Sequence, residues 1–263
     1  MPHKHRSVQK YGWIPDIPDN RDHLFLGDVM PVQILPPKVD MRGQCPPIYN
    51  QGALGSCTAN AIAAAIEFDL KKQGLVDFQP SRLFIYYNER EMEGTVNSDS
   101  GAMIRDGITS VNNIGACHEA YFPYDITQFK VKPSPSAYAD ALKNKSLSYK
   151  RIYNAISPSL MKLSLANGIP FVFGFTVYSS FESPQSNATG IIPMPNMGTE
   201  QVLGGHATLA VGYDDSLYGG KGGIIARNSW GTGWGMQGYF TIPYEYLTNT
   251  NLADDFWAIQ VMQ

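Results

Sequence analysis

The chemistry of this chain gathers at three short islands. The first is Gln51-Gly52-Ala53-Leu54-Gly55-Ser56-Cys57-Thr58, a glycine-jointed loop that runs without a break into an alanine-rich stretch. That stretch has no Gly or Pro before Gly74 and sets Ile62, Ile66 and Leu70 at four-residue steps, which predicts an α-helix over 59–73 that stops at Gly74. Ser56 is the expected cap, and Lys71 and Lys72 fall in the last turn, where the helix dipole favours cations. A thiol delivered to the first turn faces about half a positive charge and several unpaired N–H groups, so Cys57 is placed to be reactive as a thiolate. On its own, a cysteine in an apolar helix is more often a small core residue.

The second island, Leu203-Gly204-Gly205-His206-Ala207-Thr208-Leu209, puts one histidine at the entry of an apolar strand. The third, Ala226-Arg227-Asn228-Ser229-Trp230-Gly231 with Gly233-Trp234-Gly235, puts an asparagine beside a tryptophan in a turn whose glycines permit unusual backbone angles. Each alone reads as structural. Together and in this order, Cys57, His206 and Asn228 are the parts of a thiol nucleophile, its base, and the amide that orients the base.

The elements that must carry these islands change character along the chain. Helical spacing continues at 81–91 through Leu83, Phe84 and Tyr87, and at 102–113 through Ile104, Ile108 and Val111, ending at Gly115. After Gly168 come β-type runs at 169–178, 206–213, 221–228 and 238–242, separated by Gly-rich turns. A helical lobe followed by a β lobe is expected, with the site in the cleft between them. Residues 1–39 are irregular, because Pro15, Pro18, Pro31, Pro36 and Pro37 interrupt every pattern, yet Trp13, Ile14, Ile17, Leu24, Phe25 and Leu26 call for packing on the body.

With 263 residues, 43% of them hydrophobic, the chain can bury a substantial core, and a net charge of −3 gives no electrostatic case for nucleic acid or an anionic membrane. Its longest apolar runs, such as 169–177, fall far short of the roughly 20 residues that span a bilayer. A soluble monomer is expected. No apolar segment of signal-peptide length opens the chain, which reads as cytoplasmic as written, or as secreted if the sequence starts after processing. Cys45, Cys57 and Cys117 exclude a disulfide framework; a Cys45–Cys117 bridge stays open arithmetically.

On its islands the chain resembles the papain family of cysteine peptidases. His206 lies 149 positions after Cys57, and Asn228 follows 22 later, within the family's spacing of roughly 130 to 150 residues from nucleophile to base. Asp40-Met41-Arg42 is similar to the family's mature start, Asn50-Gln51-Gly52 to its oxyanion-hole glutamine, and Asn228-Ser229-Trp230-Gly231 with Gly238-Tyr239-Phe240 to its last catalytic segment. The resemblance covers about 40–263 and implies an α+β, two-lobe papain-like fold: a helical lobe at about 40–150 and an antiparallel, β-barrel-like lobe at about 151–263. It implies a cysteine endopeptidase without metal or cofactor, acting on peptide or protein substrates.

The roles the resemblance implies are Cys57 as nucleophile, His206 as acid and base, Asn228 orienting His206, Gln51 in the oxyanion hole, and Trp230 shielding the Asn–His bond. Gly101, Ala102, Met103, Ile104, Gly205 and Trp230 would meet the substrate. Met103, Ile104, Gly204 and Gly205 would line the pocket for the side chain two positions before the scissile bond, with Asp254 or Asp255 at its base to admit arginine. Leu54 and Thr58 stand where the family usually has a half-cystine and a tryptophan, and only the proline-rich arm 1–39 precedes the domain, where the family carries a long helical propeptide. These departures suggest a divergent, microbial member. The arm is either an intramolecular inhibitor, with Trp13-Ile14-Pro15 and Leu24-Phe25-Leu26 in the cleft, or simple surface packing. The alternative function is a non-hydrolytic peptide binder or acyl-transfer relative on the same scaffold.

Overall fold

The computed structural model describes residues 11–25, 34–145, 147–153 and 157–262. Its central helix, α1 (Cys57–Lys72), is buried from Cys57 to Leu70. Five small alanines on its faces let α2 (Arg82–Met92), α3 (Ile104–Ile114) and the sheet approach closely from different sides. Ser81 caps α2 by accepting the Phe84 N–H at 3.1 Å. Ser56 does not cap α1 in the expected way. Its hydroxyl is taken by Tyr124 Oη at 2.5 Å and by the Asn60 amide at 3.1 Å, so a tertiary partner outcompetes the local one.

The β lobe is a seven-stranded antiparallel sheet. In spatial order its strands are β4 (Leu147–Arg151), β9 (Ala253–Val261), β5 (Phe171–Tyr178), β6 (Val202–Asp214), β7 (Gly223–Arg227) and β8 (Tyr239–Pro243), while β2 (Lys38–Asp40) pairs with the far end of β6. One face of the sheet packs Phe171, Phe173, Phe175, Phe240 and Phe256 into an aromatic core. The other turns Val172, Leu209 and Trp257 toward Ile62, Ile66 and Leu83 of the helices. Alternate residues of one strand thus serve two cores, and α1 lies against the sheet between them.

A two-residue strand, β3 (Ala102–Met103), stands where the helical pattern was expected to begin, and α3 starts at Ile104. The cause lies far away in sequence. Residues 102 and 103 pair in parallel with β1 (Trp13–Ile14) of the arm. Further along, Leu24 bridges to Arg151, Phe25 N–H donates to the Arg151 carbonyl at 2.7 Å, and the Phe25 ring joins the aromatic core. Leu26 lies outside the described residues. The three cysteines are free thiols, so the bridge that arithmetic left open is not made.

Candidate active site

Cys57 is the first residue of α1, and its sulfur accepts the Ala207 N–H at 3.4 Å and the Gly12 N–H of the arm. The side chain is completely buried, and burial pushes the thiol up to about 12. The expected lowering is therefore not seen in this arm-docked form. Excluding water outweighs the helix terminus and the N–H groups that favour the anion.

His206 sits in β6 opposite Phe175, one residue before the amide that reaches the thiol. Its Nε2 donates to Asn228 Oδ1 at 2.9 Å. That oxygen also accepts the Ser229 N–H at 2.8 Å, which fixes the end of the amide that faces the ring. Trp230, Phe175 and Tyr11 stand 5.0, 5.7 and 5.9 Å from the imidazole, centre to centre, and enclose it in an aromatic box. Gln51 is held from the same turn: its N–H donates to the Ser229 carbonyl at 2.8 Å, its Oε1 accepts from Ser229 Oγ at 2.7 Å, and its Nε2 donates to the Leu54 carbonyl at 2.8 Å. Ser229, which the sequence presents only as part of a motif, is the clasp that binds the Cys57 loop to the Asn228 turn.

The residues expected to meet substrate meet the arm instead. The Ala102 N–H donates to the Gly12 carbonyl at 2.8 Å, and a Cβ on Gly101 (φ +77°) would overlap that same carbonyl. Met103 pairs with Ile14, Gly205 lies under Trp13, Gly204 lies under Tyr11, and Trp230 packs on Tyr11. Ile104 is fully buried at the start of α3, in the core that Trp13 joins. A Cβ on Gly12 would overlap the Gly55 carbonyl, so only glycine passes there. Gly12 between two large aromatics was the one signal of this crossing in the sequence.

Of the two C-terminal acids left open, Asp255 is the buried one, and Asp254 is half exposed against Arg151. Leu24 and Phe25 lie on the edge of the β lobe rather than in the cleft. No cluster of His, Cys, Asp or Glu among the described residues could hold a metal ion.

A model of the papain family cysteine proteases matches residues 35–258. An uncharacterized peptidase C1-like protein of Acanthamoeba polyphaga mimivirus is 42% identical, covering 96% of this chain and 87% of its own length. Chymopapain of Carica papaya is 30% identical over 79% of this chain, which spans 54% of that protein. The crystal structure of xylellain, a cysteine protease from Xylella fastidiosa, superposes with a TM-score of 0.86 at 44% identity, covering 99% of both chains.

Proposed function

The chain belongs to the papain family of cysteine proteases and is a cysteine peptidase, and from that premise we propose that Cys57, His206, Asn228 and Gln51 carry the reaction. The observation behind this reading is the convergence of three distant segments on one buried sulfur. Ala207 N–H reaches Cys57, His206 Nε2 is bonded to Asn228, and Ser229 bonds both Asn228 and Gln51.

With Nε2–H held by Asn228, the other ring nitrogen is the one left to take the thiol proton. Cys57 sulfur then attacks the peptide carbonyl, and the Cys57 N–H and the Gln51 amide stabilise the oxyanion. The loss of one such donor typically slows a reaction by about a hundred- to a thousandfold. His206 gives the proton to the departing amine, water hydrolyses the thioester with His206 as base, and the thiol is restored. Trp230 and Phe175 keep water from the His206–Asn228 bond.

The stretch Tyr11–Ile14 reads as an intramolecular inhibitor, since it covers the sulfur with the Gly12 backbone and occupies the residues assigned to substrate. With it docked, the thiol is fully buried and held neutral. In this reading the unit from about 40 onward is the peptidase domain and the arm its regulator.

The test is labelling with an irreversible peptidyl epoxide, followed by mass analysis. A chain whose arm is loosened by Trp13→Ala is expected to take one equivalent on Cys57, and His206→Ala to abolish it. Absence of labelling in a folded, reduced Trp13→Ala chain would point to the non-hydrolytic alternative.

A further inference from the structure

The two donors assigned to the oxyanion, the Gln51 side-chain amide and the Cys57 N–H, sit at opposite ends of one loop. A side chain that the reaction steps do not use ties those ends together. Tyr124 Oη donates to the Gln51 carbonyl at 3.0 Å. Its single proton is thereby committed, so in the 2.5 Å contact with Ser56 the serine hydroxyl is the donor. Ser56 Oγ in turn accepts from Asn60 Nδ2 at 3.1 Å. The result is a one-way chain of hydrogen bonds, Asn60 to Ser56 to Tyr124 to Gln51, in which each link polarises the next.

The chain acts on both donors through the peptide units beside them. In a planar trans peptide the N–H points away from the carbonyl, so whatever holds the Ser56 carbonyl aims the Cys57 N–H. That carbonyl accepts the Asn60 N–H at 3.1 Å and Asn60 Nδ2 at 2.8 Å. At the other end the Gln51 main chain is gripped from two sides, by Ser229 at its N–H and by Tyr124 at its carbonyl, which fixes the root of its side chain.

The phenol is itself held in place. The Arg82 guanidinium lies 4.1 Å from the centre of its ring, and Glu119 Oε1 accepts both Arg82 Nη2 at 2.9 Å and the Tyr124 N–H at 3.0 Å. Arg82 Nη1 also reaches Asn60 Oδ1 at 3.4 Å, which turns the N–H end of that amide toward Ser56. Burial pushes the phenol up to about 12, so it stays a neutral donor at neutral pH.

We propose that Tyr124 is a positioning residue of this peptidase, whose phenol holds the Gln51 amide and the Cys57 N–H at the separation a tetrahedral oxyanion needs. This rests on the reading of those two groups as the oxyanion donors. Outright loss of such a donor slows reaction by about a hundred- to a thousandfold, and one displaced by up to about 1 Å is expected to cost about ten- to a hundredfold.

Tyr124→Phe keeps the ring on Arg82 and removes only the hydroxyl. Two reactions of Cys57 are compared in the full-length Trp13→Ala chain. Acylation by a peptidyl nitrophenyl ester passes through an oxyanion: the sulfur–acyl bond forms, the acyl–oxygen bond breaks, nitrophenolate leaves with the electron pair, and the thiol proton stays on His206. Alkylation by iodoacetamide passes through none, since the sulfur displaces iodide at a saturated carbon. Tyr124→Phe is expected to slow acylation about tenfold or more and alkylation by less than about twofold. In a Gln51→Ala background its acylation penalty is expected to be at least about threefold smaller, because it acts through the group already removed.

A merely structural tyrosine moves both reactions together, or only the melting temperature, and either result overturns the proposal. Should Tyr124→Phe not fold, Ser56→Ala cuts the same chain one link earlier and is read the same way. A Trp13→Ala chain that alkylates but does not acylate strikes at the peptidase reading and takes the proposal with it. One that acylates equally with and without the hydroxyl overturns the proposal alone and leaves the peptidase intact.

Discussion

Two stretches of the arm touch the body in opposite ways. Tyr11–Ile14 meets it through backbone: Gly12 against Gly55 and Gly101, a two-residue parallel pairing, and an indole resting on two glycines. His23–Phe25 meets it through the core. The Arg151 N–H donates to the His23 carbonyl at 2.8 Å, and Phe25 sits among the rings of the β lobe. In the reading proposed above, the first contact follows the path a peptide would take and can be replaced by one. The second has no such competitor. On that reading, one segment is both part of the fold and a removable occupant of the site, with the two jobs given to different residues.

The comparison is broken most decisively at its reactive end. His206→Ala is expected to lower peptide hydrolysis by about a thousandfold or more in an arm-loosened chain, since the members of such a catalytic unit fail together. Retained activity would mean that the cleft under Tyr11–Ile14 is not where chemistry occurs. At the anchored end, Phe25→Ala empties a site in the aromatic core, for which about 3–5 kcal/mol of unfolding free energy is the usual loss, measurable by urea denaturation.

Trp13→Ala should behave unlike Phe25→Ala despite the larger side chain removed. If the arm leaves the cleft without the body unfolding, as proposed, the melting temperature is expected to move little while hydrolysis rises about tenfold or more, as a competing closed state is depopulated. A large melting shift without a gain in activity would make this stretch structural as well.

The smallest effect is in pH dependence. Burial pushes the Glu93 carboxyl up to about 7, opposed by the Met103 N–H it accepts and reinforced by the charges of Asp106 and of Asp16 in the arm. A carboxyl raised on folding contributes stability at low pH that is lost as pH rises through the folded value, so the chain should lose stability between about pH 5 and pH 8. Glu93→Gln is expected to flatten part of that slope in thermal melts taken across the range. Asp16 is raised by burial as well and adds to the slope with the same sign.

The three islands assigned to the proposed site stand out in the sequence because thiol chemistry demands particular residue types, and α1, α2 and the main strands were legible because their periodicity is local. What escaped was decided by partners distant in sequence. Residues 102 and 103 look helical until β1 pairs with them, and Ser56 looks like a cap until Tyr124 claims its hydroxyl. The helix terminus under Cys57 is visible in the sequence, but the exclusion of water that dominates its thiol comes from the arm and the β lobe together. The choice between Asp254 and Asp255 rests on a single register shift that no local pattern announces.

The bridge from Leu24 to Arg151 sets one further property of the molecule. It fixes the chain ten residues beyond Ile14, with Pro15 and Pro18 stiffening the span. A ligand tethered so closely presents itself at an effective concentration on the order of millimolar. On the proposed reading, dilution therefore cannot open the cleft, and an incoming peptide must outbid an opponent whose local concentration never changes. A single cut between Ile14 and His23 would convert that opponent into a short peptide free to diffuse away, and the same contacts would then hold it only as well as its own affinity allows.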